Sequence, residues 1–250
     1  MIAPVRAIAK VTFSEVVRDK VLYNIFLFAI LLLGVGFLAS RLTFIRPDRV
    51  ILDFGLSAVS LSCSVIGIFT GATLLIREFE RRTIYVALSR PISRAQFVFG
   101  KFAGLAGVLI VNWLLLGGAF LLILGHGGTT LFEALALVLI QSFALAAIAI
   151  LFSAFTTTSL SVVFSLGVYL LGNNVSQVRF LAGKEHSPLA QYGLKAVASI
   201  LPNLEYFNLG LRVTYALPVE SSYLFFSVAY GACLTGVALV LAGVLVKRKE

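Results

Sequence analysis

Apolar residues in this chain come in long unbroken runs, and the charges bunch between them. Residues 21–40, 54–76, 102–132, 134–178 and 221–246 contain no Asp, Glu, Lys or Arg. A helix needs about 20 apolar residues to cross ~30 Å of hydrocarbon. Four of the runs suit one crossing each. The run 134–178 would reach ~67 Å as one helix at ~1.5 Å per residue, so it must fold back. The turn signal is Ser153-Ala154-Phe155-Thr156-Thr157-Thr158-Ser159, a hydroxyl cluster between two apolar stretches. The pattern predicts an all-α membrane protein with six crossings, about 21–40, 54–76, 102–124, 131–152, 161–181 and 222–246.

Residues 1–20 read differently. Val5, Ile8, Thr12, Phe13, Val16 and Val17 recur at helical spacing, with Arg6, Lys10, Arg18 and Lys20 elsewhere. An interfacial amphipathic helix leading into the first span is expected. A cleaved leader is not, because its apolar core would be shorter than 21–40 and would not follow a long amphipathic segment.

The stretch 77–101, REFERRTIYVALSRPISRAQFVFGK, is the long polar island between the second and third spans. It holds Arg77, Arg81, Arg82, Arg90, Arg94 and Lys101 with the acids Glu78 and Glu80. A charge at the bilayer midplane costs ~2.5–3.5 kcal/mol on insertion scales, so the island lies in water. Glu78 and Arg82 stand four apart and extend the second-span helix beyond the membrane. Pro91 disfavours helix at Arg90. Ser93-Arg94-Ala95-Gln96 is a capping-box pattern that starts a new helix into the third span. The expected product is helix, elbow, helix, with Ile84, Tyr85 and Leu88 projecting beside the basic groups. Such a surface fits a membrane-surface segment or a docking site for another protein equally well.

Composition agrees with the membrane class: 60% of residues are hydrophobic and 12% charged, against about 25% charged in soluble domains. No separate soluble domain is expected within 1–250. A net charge of +9 here means Lys and Arg flanking spans and facing anionic lipid, not nucleic acid. Thirteen of the 20 Lys and Arg fall on the side of the termini, the island and the Thr turn. That excess predicts cytoplasmic termini and a cytoplasmic island. Cys63 and Cys233 lie in apolar runs and read as core residues. With one methionine and two histidines, His126 and His186, soft ligands for a transition metal are nearly lacking.

Gly67-x-x-x-Gly71 and Gly100-x-x-x-Gly104 would let helix backbones approach closely. Asn112, Gln141, Ser142, Asn173, Asn174 and Gln177 are the polar residues inside spans. They either bond helix to helix or line a path. No acid or base sits mid-span, which argues against a proton-coupled carrier. Residues 182–221 form one long extracytoplasmic connection. Pro188, Pro202 and Pro218 divide it into amphipathic pieces over 189–200 and 203–216, expected on the outer leaflet. The chain has no Walker A: Gly100-Lys101 has Ala95 in place of the first glycine and Phe102 in place of Ser/Thr. H-E-x-x-H, C-x-x-C and G-x-S-x-G are lacking too, so no catalysis is expected from this chain unaided.

Asp53-Phe54-Gly55-Leu56, Gly71, Arg77-Glu78-x-Glu80-x-x-Thr83-Ile84, Leu88-Ser89-Arg90-Pro91-Ile92-Ser93-Arg94, Gly100-Lys101 and Leu201-Pro202-Asn203-Leu204 together resemble the ABC-2-type permeases of ATP-binding-cassette exporters. The nearest look-alike is the NosY-like branch, which serves multi-copper enzymes. The poverty in Cys, Met and His keeps the copper assignment from being carried over. The resemblance implies a type V exporter fold, a permease homodimer in a bacterial or archaeal plasma membrane, and two copies of a separate ATPase subunit that bind Mg-ATP. It makes Arg77, Glu78, Glu80, Arg81, Arg82, Thr83, Ser89, Arg90, Pro91, Ser93, Arg94 and Lys101 the ATPase-docking segment. Thr156, Thr157, Thr158 and Ser159 become a second cytoplasmic contact. The alternative within this resemblance is a mechanotransmission or assembly protein that acts on an extracytoplasmic partner and moves no solute.

Overall fold

The computed structural model describes residues 2–42, 47–80, 93–125, 128–184 and 188–248. Among them are ten α-helices and no strand: α1 (Ile2–Val17), α2 (Lys20–Leu42), α3 (Pro47–Glu80), α4 (Arg94–Leu124), α5 (Thr129–Ser153), α6 (Thr158–Gly172), α7 (Val175–Lys184), α8 (Pro188–Ile200), α9 (Gly210–Thr214) and α10 (Ser221–Arg248). In lipid every backbone group must be bonded within its own segment, and the apolar runs therefore become helices. Helices α2, α3, α4, α5 and α10 are each long and apolar enough to cross a membrane, and the bent pair α6–α7 would make a sixth crossing. Pro47 and Pro188 stand at first helical positions, where a missing N–H costs nothing. Gly125, at φ 74°, ends α4 and donates its N–H to the Leu121 carbonyl; the left-handed conformation is the reason for glycine there.

The bundle has two ends. One carries the α1–α2 link, the stems of residues 81–92, the α5–α6 turn and the end of α10. The other carries the end of α4, the start of α5 and residues 201–220. A hydrophobic cluster fills each half. Val16, Leu75, Phe97, Leu105, Ile150 and Ala242 belong to the first. Leu56, Leu116, Phe120, Leu135, Leu204 and Phe207 belong to the second.

Without a hydrophobic driving force between helices in lipid, close backbone approach carries the packing. Both glycine pairs sit at such contacts. A Cβ on Gly71 would lie 2.9 Å from the Ala146 carbonyl oxygen and from the Ala149 Cβ, and one on Gly67 3.1 Å from the Ser142 carbonyl oxygen. Those contacts seat α3 on α5. Gly100 and Gly104 instead receive α1, against Ile8 and Thr12. The apolar face of α1 is therefore covered by α4, not left for lipid. Helix α2 is peripheral: 17% of its most apolar window is buried, against 67% for α3 and for α5.

Two expectations fail at the other end. The crossing expected over about 161–181 is broken after Gly172, where α6 and α7 meet at a 73° bend. The cause is local. Asn173 and Asn174 turn their amides back to the Tyr169 and Leu170 carbonyls, both at 2.8 Å, and so cap α6 instead of continuing it. Into the break comes Leu204, whose N–H bonds the Gly172 carbonyl at 2.9 Å. A Cβ on Gly172 would meet the Leu204 side chain and the Pro202 carbonyl oxygen at 2.9 Å. The second failure follows from this. The stretch 203–216 is not an amphipathic piece lying on the surface. It is a 3-10 turn at Glu205–Phe207 plus the short α9, with Leu204, Phe207, Leu209 and Val213 buried in the core. The Asn203 N–H donates to the Tyr230 hydroxyl at 3.0 Å, and Tyr223 donates to the Tyr206 carbonyl at 2.9 Å. Glu205 caps the start of α7, accepting from the Ser176 N–H at 2.7 Å and from its hydroxyl.

Candidate functional site

The polar island enters and leaves the bundle through two helical stems. Arg81, Arg82, Thr83, Ser89, Arg90 and Pro91 lie outside the described residues; Glu80 closes α3. Arg77, Glu78, Ser93, Arg94 and Lys101 are described. Ser93 and Gln96 form the capping box: the Gln96 N–H donates to Ser93 Oγ at 3.3 Å, and the Ser93 N–H donates to Gln96 Oε1 at 3.0 Å. Helix α4 therefore begins at a fixed residue.

Each stem is tied to another helix. Both terminal nitrogens of Arg77 reach Asp19 Oδ2 at 3.0 Å, which fastens α3 to the α1–α2 link. Arg94 donates to the Val246 carbonyl at 2.9 Å, which fastens α4 to the last turn of α10. The sequence reading assigns Lys101 to the docking surface. The structure instead buries it, with 3% exposure. Its ammonium lies 2.6 Å from Glu78 and 3.6 Å from Glu15, with the Phe97 ring centroid 5.9 Å away. A lysine taken out of water is tolerated only with carboxylates beside it. Glu78 is occupied by the same pair. Lys101 and Glu78 thus join α1, α3 and α4.

Glu15 and Asp19 carry half of this network, and motif reading misses them. A signal was present: they are the sole acids before Asp48 and stand four apart, which puts them on one helical face.

The Thr turn lies at the same end, since Ala154 belongs to the cluster that holds Leu75 and Phe97. Thr156 donates back to the Phe152 carbonyl at 2.7 Å and closes α5. Thr157 occupies the N-cap of α6, and Thr158 and Ser159 open that helix. Thr157, Ser159 and Phe155 are exposed.

The polar residues of the spans separate into two sets. Asn112 bonds α4 to α3, donating to Ser62 Oγ at 3.2 Å and Cys63 Sγ at 3.3 Å. Gln141, on α5, donates to Asn173 Oδ1 at 3.2 Å. Gln141, Asn173 and Asn174 also line one cleft of about 590 Å³ at the far end of the bundle. Gln141 and Asn173 thus join α5 to the end of α6 and border a space at once. Asp53, Ser57 and Asn208 share that cleft and could not be placed there from sequence. Among the described residues no cluster of three His, Cys, Asp or Glu could hold a metal ion.

A family model described as "ABC-2 family transporter protein" matches residues 6–249, nearly the whole chain. The match is to the family as a whole and names no branch of it. No curated protein matches the chain.

Proposed function

Since this chain belongs to the ABC-2 transporter family, whose members are membrane permease components of ABC transporters, we propose that it is the permease subunit of an ATP-driven exporter docked through residues 77–101. A separate ATPase subunit would bind Mg-ATP and grip the segment between the stems. The Thr156–Ser159 turn would be the second contact. The excess of Lys and Arg at the stem end supports a cytoplasmic placement of that end, and the membrane would be the plasma membrane of a bacterium or archaeon. Two permeases and two ATPases would make the working assembly.

The observation that carries this reading is the tying of both stems. Arg77 holds Asp19, Lys101 holds Glu78 and Glu15, and Arg94 holds the end of α10. A pull on residues 81–92 would therefore reach α1, α3, α4 and α10 together. A loosely attached loop would absorb the same displacement.

The test uses the full chain, purified from its host membrane with its assembly partners. Azido-ATP photolabelling marks any ATPase that comes with it. Charge reversal at Arg81 and Arg82 should remove the labelled subunit, while the protease-protected membrane fragments stay unchanged. Undiminished co-purification would sink the docking assignment.

A further inference from the structure

The cleft of about 590 Å³ does not end at its polar wall. A second cavity of about 290 Å³ runs between α2 and α3, lined by Asn24, Ile25, Phe28, Val65 and their neighbours. Leu32, Ala58 and Leu61 line both. The two spaces are therefore adjacent, and their chemistry is opposite. The second is almost wholly apolar. Phe28 on its wall is 53% exposed, so the groove opens on the outer face of the bundle, where acyl chains lie.

The polar cavity has a defined character. Among the described residues its one formal charge is the Asp53 carboxylate, and no Lys or Arg lines it. Four amide-bearing residues line it, Gln141, Asn173, Asn174 and Asn208, together with Ser57, Ser60 and Tyr169. Gln141 is 2% exposed and is fixed by its bond to Asn173. Asn173 is fixed in turn by the Tyr169 carbonyl, and one Asp53 oxygen accepts from Thr214. These groups are held in place and keep further donor and acceptor capacity. A set that both donates and accepts suits hydroxyl groups, which do the same. A carboxylate with no described cation on the cavity wall repels an anionic headgroup and favours an ammonium. Both cavities together fall within the ~300–1,000 Å³ range of small-molecule sites.

We propose that the cleft and the groove are one binding site for a single-chain amphiphile with a neutral or cationic headgroup. The hydroxyl- or amine-bearing headgroup lies among Asp53, Gln141, Asn173 and Asn208. The chain lies between α2 and α3, beside Phe28 and Leu61. That this is the exported class of molecule rests on the permease reading above; the binding itself does not.

The experiment uses the full chain in lipid nanodiscs with three probes that carry the same photoreactive alkyl chain. Their headgroups are maltoside, primary amine and sulfate. Crosslinked peptides are identified by mass spectrometry. Maltoside and amine probes should label α2 and α3 around Leu32 and Leu61 saturably. The sulfate probe should label that site at least tenfold less. Ser60→Phe, which fills the cleft, should lower maltoside labelling there fivefold or more and leave labelling of the lipid-facing side of α10 unchanged. Asp53→Asn should weaken the amine probe more than the maltoside. Equal labelling by all three headgroups, or labelling at Leu32 and Leu61 that does not saturate in the unaltered chain, overturns the proposal. So does amine labelling indifferent to Asp53→Asn. The readout needs no ATPase. Loss of ATPase docking with labelling intact would therefore strike the permease reading alone.

Discussion

The two ends of this bundle are built by opposite means. At the stem end, charged side chains stitch helix to helix: Arg77 to Asp19, and Lys101 to Glu78 and Glu15. At the far end, a stretch of irregular backbone is wedged into a broken helix and held by Tyr230, Tyr223 and Glu205. Opposite charges draw helix ends together. A wedge holds helices apart, and a cleft lies beside this one. The contrast teaches that the charged ties and the amide-lined cleft are placed at different ends. That is what a device driven at one end and loaded at the other would require.

The sharpest way to break the contrast is at the buried lysine. Glu78→Gln leaves Lys101 with the more distant Glu15 alone. Removing one partner of a buried pair costs about 3–5 kcal/mol. The melting midpoint of the purified chain should fall steeply, and Glu78→Gln combined with Lys101→Met should recover part of the loss. An unchanged melt would mean the pair is hydrated and holds nothing.

Next comes the crossing that joins both ends. Gly71→Ala pushes a methyl against the Ala146 carbonyl, an overpacking cost of about 1–3 kcal/mol. Gly34→Ala is the control, with nothing within 4 Å of the added carbon. The same melt should separate the two variants.

A smaller effect belongs to the wedge. Glu205→Gln weakens the cap on α7 by about 1 kcal/mol. Amide exchange should quicken over residues 175–184 and stay as it was over 94–101. Exchange that quickens at both ends would show that they are not separately built.

The smallest is at Arg77, whose side chain is 42% exposed. Arg77→Lys should cost about 0.2–1 kcal/mol in the melt, as exposed ion pairs do. A loss as large as that of Glu78→Gln would make the Asp19 tie the principal stitch.

Much of the molecule was legible before any coordinates. The spans, the fold-back at Ser153–Ser159, the capping box at Ser93 and the glycine pairs each rest on local chemistry, so local pattern suffices to find them. The break after Gly172 was not read from the pattern, although Gly172-Asn173-Asn174 is a local turn signal inside the charge-free run. The cleft was not legible. Asp53 and Asn208 stand far apart in sequence, and Asn208 reaches the site because residues 203–210 turn inward. Nor was the fate of Lys101, which the motif put on a surface and the fold put between two acids.

Sequence alone determined that this chain is helical, crosses a membrane and carries a charged segment outside it, because hydrocarbon rejects charge and unpaired backbone wherever they occur. Tertiary structure decided which charges are spoken for and where empty space remains. Those depend on the distance between groups remote along the chain, and distance is set only when the helices have packed.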